Sequence, residues 1–146
     1  MQRFGPVLEF MRALWALDHS FQSASKRMES RLGVTSPQRI VVRVVGRHPG
    51  ISAGEVAEIL HLHPSTLTGV LKRLEARGVV SRSADPADGR RALLTLTARG
   101  RKIDSLRSGT VESAVRRALQ DLPQASVRSA RLLADRLSAE LDRIAG

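Results

Sequence analysis

The spacing of apolar residues predicts a mainly α-helical chain that carries one small β-hairpin. Three features lead there. Apolar side chains recur at three- and four-residue intervals along most of the chain, and helix punctuation is explicit at Ser52-Ala53-Gly54-Glu55, Pro64 and Gly78. Only two runs, Val79–Arg82 and Ala92–Thr97, look like strands, and they flank a single polar stretch.

From Phe4 to Leu32 the apolar residues fall at 4, 7, 8, 11, 14, 15, 21, 28 and 32, the stripe of a long amphipathic helix. Ser36-Pro37 then offers an N-cap with a proline at the first helical position. Ile40, Val41, Val42, Val44 and Val45 favour a strand locally, yet Arg39, Arg43 and Arg47 recur every fourth residue, the spacing of side chains that share one face of a helix. A short helix closed by His48-Pro49-Gly50 is the consistent reading. Ser52 and Glu55 form a capping box that opens a helix through Leu60, packed by Val56, Ala57, Ile59 and Leu60. After the break at His61-Leu62-His63, Pro64 starts a second helix to about Arg77, with Leu67, Val70, Leu71 and Leu74 inward and Gly78 ending it.

Two helices across so short a turn describe a helix-turn-helix, and the hairpin that follows is the wing of a winged helix-turn-helix lobe. Beyond Gly100, residues Ile103, Leu106, Val111, Ala114, Val115, Ala118 and Leu119 predict one helix to about Asp121. After Leu122-Pro123, the series Val127, Ala130, Ala134, Leu137, Leu141 and Ile144 has the seam spacing of a helix that packs on another helix. The expected organisation is one domain over residues 1–146, with a DNA-binding lobe at 36–100 and dimerisation helices at 4–32 and 101–146.

Charge narrows the partner. Lys and Arg number 24 against 14 Asp and Glu, a net +10 that favours polyanions, either nucleic acid or an acidic membrane surface. Between Leu60 and Arg101 there are 8 basic and 3 acidic residues, so phosphate contacts are expected there first. The longest stretch without a charged residue is the 13 residues Ile59–Leu71, too short to span a bilayer, and Glu9 and Arg12 interrupt any signal-like segment. A cytoplasmic protein is expected. The absence of cysteine excludes disulfides, thiolate metal sites and thiol-based sensing.

On the second helix of the motif, a 100° step per residue turns Ser65, Thr68, Gly69 and Lys72 outward, with Thr66 and Arg73 on the shoulders. Such groups can read major-groove edges and hold phosphates, and Gly69 allows close backbone approach. Asp88-Gly89-Arg90, then five residues, then Leu96-Thr97 and Gly100 resembles the wing signature of the MarR family of bacterial transcriptional regulators. Pro64-Ser65-Thr66-Leu67-Thr68 through Arg73-Leu74-Glu75-Ala76-Arg77-Gly78 is similar to that family's recognition helix.

The resemblance implies a homodimeric, ligand-responsive regulator, more often a repressor, bound to double-stranded DNA at a pseudo-palindromic operator. Ser65, Thr66, Thr68, Gly69, Lys72 and Arg73 would serve the major groove, Arg90 the flanking minor groove, and Arg91 the backbone or solvent. Asp88 would brace a wing arginine, because a carboxylate near phosphate is repelled. Relatives often bind small aromatic or phenolic anions between the dimerisation helices and the DNA-binding lobe, and Trp15 and His19, one turn apart, are the candidates here. The sequence departs from the family pattern at His61, commonly Gly, at His63, commonly a capping Asp or Ser, and at Arg39, where apolar residues are frequent.

Other chemistries fit less well. His61 and His63 lie in a turn far in sequence from His19 and His48, so a tetrahedral metal set is hard to assemble, and no metal or cofactor is expected. Gly50-Ile51-Ser52-Ala53-Gly54 matches a nucleophile-elbow spacing but precedes a capped short helix instead of following a core strand, so an enzyme is not expected. The remaining alternative is an architectural DNA binder with little sequence preference, using the same lobe and charge without an effector.

Overall fold

A computed structural model describes residues 5–146, and Phe4, the first position of the expected N-terminal helix, lies outside them. Among the described residues there are seven helices and a three-stranded antiparallel sheet. Two compact units result, one reaching Val111 and one from Glu112 onward.

The first unit opens with α1 (Pro6–Leu32), which ends where Gly33 turns left-handed at φ 79°. Its buried residue is Met28, near the C-terminal end, while Val7, Leu8, Trp15 and Phe21 of the expected stripe are exposed. α2 (Ser36–Arg47) is capped one residue earlier than expected. Thr35, not Ser36, accepts from Gln38 N–H at 3.4 Å, and Gln38 Oε1 accepts from Thr35 N–H at 3.1 Å. Ser36 N–H instead donates to Ser25 Oγ at 2.8 Å and ties the loop to α1.

Helix α2 is the hub on which α1, α5 (Ala98–Ser105) and the sheet all pack. Val41, Val42 and Val45 are fully enclosed. Arg39, the departure at a commonly apolar position, is itself buried, at 1% exposed. Its guanidinium donates to the carbonyls of Ile103 and Leu106 at the C-terminal end of α5. Arg43 adds an ion pair to Asp104 at 2.6 Å. A cation serving terminal carbonyls is stabilised by the helix dipole, which is how a charge can sit in this position.

The strand β1 (Ile51–Ser52) has no signature in the sequence, being two residues long and sharing Ser52 with a helix cap. It pairs with β3 (Ala92–Leu96), which also pairs with β2 (Val80–Ala84), in the order β1-β3-β2. The hairpin register runs from Val80 opposite Leu96 to Ala84 opposite Ala92. Helices α3 (Ala53–Leu60) and α4 (Pro64–Ala76) form the expected helix-turn-helix, capped by Ser52 and His63. Val56 and Ala57 are buried as expected, but Ile59 is exposed.

Helix α5 is joined to this core, although the expected boundary placed residues beyond 100 with the dimerisation helices. Ile103 lies in the main hydrophobic cluster with Val34, Val45, Leu71, Leu74 and Leu94. Thr97 caps α5, accepting from Gly100 N–H at 3.0 Å while donating to Gly78 O at 2.6 Å. The single helix expected from 101 to 121 is interrupted: α5 stops at Ser105 and α6 (Val111–Gln120) begins after Gly109, whose φ of 71° no helix accommodates. Within the second unit, α7 (Gln124–Ala145) has no buried residue, and Leu132, Leu133, Leu141 and Ile144 are exposed.

Candidate nucleic-acid interface

The turn before α4 is built from the two unusual histidines. His61 adopts φ 51°, ψ 40°, the left-handed conformation expected of a glycine position, and its N–H closes α3 on Ala57 and Glu58. His63 is the N-cap of α4: Nδ1 accepts from Ser65 N–H at 3.2 Å and lies 2.7 Å from Ser65 Oγ. The imidazole thus performs the task of the absent Asp or Ser and also holds the Ser65 hydroxyl.

Leu67, Val70, Leu71 and Leu74 anchor α4 in the core. Ser65, Thr66, Thr68, Lys72 and Arg73 are exposed on its other side, and Gly69 is half-buried between them. Thr68 Oγ1 donates to Pro64 O at 2.9 Å, which leaves its oxygen lone pairs outward. A groove of about 590 Å³ runs beside this face, lined in part by Gln38, Thr66, Gly69 and Arg73. The far end of α4 is clamped by Arg77, a residue whose importance was not legible in the sequence. It donates to Gly33 O at 2.7 Å and pairs with Glu29 of α1 at 2.9 Å. A basic residue just before Gly78 was the available signal, but its partners are 44 and 48 residues away.

The wing projects past the last ladder pair. Asp88 does not grip a guanidinium there; its Oδ1 accepts from the backbone N–H of Arg90 at 3.1 Å, and its carbonyl accepts from Arg91 N–H at 2.9 Å. The carboxylate shapes the turn and thereby aims Arg90, whose exposed side chain has no bond or ion pair among the described residues. Arg91 is turned the other way. It pairs with Glu55 at 2.7 Å and donates to Ser52 Oγ at 3.3 Å. Hydrogen bonds from the Ser52 backbone and side chain, followed by Arg91, bring the Glu55 pKa down from 4.5 to about 2.

Trp15 and His19 are not among the residues that line the cavity between α1 and α2. Trp15 is 65% exposed, and His19 is exposed beside it. That cavity, of about 620 Å³, is bordered by Asp18, Phe21, Lys26 and Ile40 among others. Trp15 falls one turn short of it, and His19 is rotated by about 100° from Asp18. Among the described residues, no group of three or more His, Asp or Glu is arranged to hold a metal ion, and no helix is long and apolar enough to cross a membrane.

Comparison with known proteins decides the family. A MarR family model matches residues 32–91, which run from the end of α1 through the helix-turn-helix to Arg91 of the wing. The repressor Rv2887 of Mycobacterium tuberculosis is 32% identical over 111 residues, covering 76% of this chain and 80% of the relative. The chain belongs to the MarR family. Its wing and recognition-helix motifs are therefore those of a winged helix-turn-helix transcriptional regulator that binds DNA, and the family's activity is not enzymatic. The regulator HosA of Escherichia coli O111:H- is 39% identical over 93 residues, covering 63% of this chain and 69% of HosA. Among solved MarR-type folds, the PcaV regulator of Streptomyces coelicolor, in complex with its natural ligand, superposes with a TM-score of 0.73 at 25% identity, covering 95% of this chain and 98% of PcaV.

Proposed function

We propose that the protein is a cytoplasmic, homodimeric repressor that holds a pseudo-palindromic operator and releases it when a small aromatic ligand binds. The observation that carries this reading is the division of polar groups on the lobe. Lys72, Arg73 and Arg90 are exposed and have no bond or ion pair among the described residues, whereas Arg77, Arg82 and Arg91 are paired with Glu29, Glu75 and Glu55. A recognition helix with Ser65, Thr66, Thr68, Gly69, Lys72 and Arg73 would enter the major groove, and Arg90 the adjacent minor groove.

Dimerisation is supported by apolar surface that water would otherwise cover. Val7, Leu8, Phe10 and Trp15 are exposed on α1, as are Leu133, Leu141 and Ile144 on α7, the last at 84%. A second copy covering these stripes would place two recognition helices about 34 Å apart, one turn of DNA. The α1–α2 cavity is the proposed effector pocket: Phe21 and Ile40 supply apolar walls, and Lys26 a cation for a phenolic anion.

The deciding experiment is a gel-shift titration at physiological salt against the DNA flanking the protein's own gene, with excess unrelated duplex. A discrete complex that survives competitor, and that added phenolic anions dissociate, is expected. Shifts removed equally by any duplex, there and across a selection from random sequences, would replace this reading with architectural binding driven by charge.

A further inference from the structure

Neighbouring arginines of the wing have opposite fates. Arg90 is exposed beyond the sheet, while Arg91 reaches back to the start of α3. There Glu55 accepts from Ser52 N–H at 2.9 Å and Ser52 Oγ at 2.8 Å, so the carboxylate that receives Arg91 is already fixed to the helix cap. Ser52 is also the residue that pairs with Leu93 in the sheet. The ladder of the hairpin ends at Ala84 and Ala92, immediately beside Arg91. Past that point Asp85 N–H donates to Arg91 O at 2.9 Å, and Arg91 N–H to Asp88 O at 2.9 Å, which closes the tip into a turn hinged at residue 91.

A two-stranded ribbon is weakly determined in direction, so a small rotation at its base displaces the tip. The Arg91 side chain crosses from that base to α3, and α3 packs on α4. We infer that Glu55 and Arg91 are positioning residues for the wing: their pair sets the place of the tip relative to the recognition helix, so that Arg90 meets the minor groove while α4 lies in the major groove, and Arg91 makes no DNA contact of its own. The pair is partly exposed on both sides. Exposed pairs add little to stability, so its removal changes aim and leaves the fold in place.

This inference rests on the reading of Arg90 as a minor-groove contact, and the test separates the two. Wild type, Arg90→Ala, Arg91→Ala and Glu55→Gln are each taken through selection from a random duplex library, and affinity for the selected wild-type site is measured across salt concentrations. Gln at the third helical position still completes a capping box, and thermal melting verifies that each variant is folded. Arg91→Ala and Glu55→Gln are expected to lose flanking-base preference by about threefold to tenfold, with central half-site preference retained and the Arg91→Ala salt slope unchanged.

A merely structural link would lower affinity at all positions alike and so overturns the inference. A salt slope reduced by about one in Arg91→Ala, with flanking preference intact, overturns it by making Arg91 a phosphate contact. If Arg90→Ala loses the flanking preference while Arg91→Ala and Glu55→Gln keep it, the positioning role alone fails. If Arg90→Ala keeps it, the minor-groove reading fails and the positioning role with it.

Discussion

Two side chains in this molecule do work that a different residue would usually do. His61 occupies the left-handed conformation at the end of α3, and His63 caps α4 with an imidazole nitrogen. Both departures were visible as odd residues in a familiar pattern, and their geometry follows from the backbone requirement at each position. A left-handed residue with a Cβ is strained, so His61→Gly is expected to raise stability by about 0.5–1 kcal/mol after the added entropy of the unfolded chain, measured by denaturant melting. An unchanged or lowered midpoint would mean that the imidazole makes a compensating contact. Glu55 supplies a pH signature. Its pKa is about 2 in the fold against 4.5 unperturbed, so its contribution to stability is complete above pH 4.5 and disappears as pH falls towards 2. The stability difference between wild type and Glu55→Gln should therefore be level at pH 5–8 and shrink on acidification below about 4.5. Shrinkage above pH 5 would contradict the hydrogen-bonded carboxylate.

Between elements, close approach is bought with glycine and closed with arginine. Helix α5 begins so near β2 that a Cβ on Gly100 would sit 2.1 Å from Val79 O, and near its other end a Cβ on Gly46 would sit 2.5 Å from Asp104 Oδ2. Gly100→Ala should destabilise the lobe by about 2 kcal/mol or more, since a backbone carbonyl cannot step aside. Near-wild-type melting would show that α5 can slide without loss. Arg39 then seals the C-terminal carbonyls of α5, and Arg77 ties the end of α4 to α1 and the loop after it. Spacing along α2 indicated a helix, and Arg39 stood out as a charge at a commonly apolar position, but its partners were not legible, because periodicity records which residues share a face and not what that face meets.

At the scale of the whole chain, charge and uncovered apolar surface are the dominant properties. Leu137→Pro should interrupt α7 at a cost of about 3 kcal/mol and convert the proposed dimer to monomer in sedimentation, and a stable dimer would remove α7 from the interface. Lys72→Ala should lower the slope of log affinity against log salt by about one unit, as expected for one lost phosphate contact. An unchanged slope would place Lys72 off the backbone. The net charge of +10 supports affinity, whereas selectivity has to come from the placement of α4 and the wing.

The helix-turn-helix, the wing and the family were legible from residue order because caps, turn residues and apolar stripes are local signals. The Ser52–Glu55 box, Pro64, Gly78 and the Asp88-Gly89-Arg90 turn each act within a few residues of themselves. Other features needed partners distant in the chain. Strand β1 exists because Leu93 and Leu94 come to lie beside Ser52 and Ile51. Arg39 is buried because the C-terminal carbonyls of α5 meet it, and Arg91 reaches back to α3 because Glu55 stands 36 residues upstream with its carboxylate already held. Local patterns specify elements through short-range sterics and hydrogen bonds, while the assignment of a charge to core, tether or ligand depends on which elements meet, and that is settled only by packing.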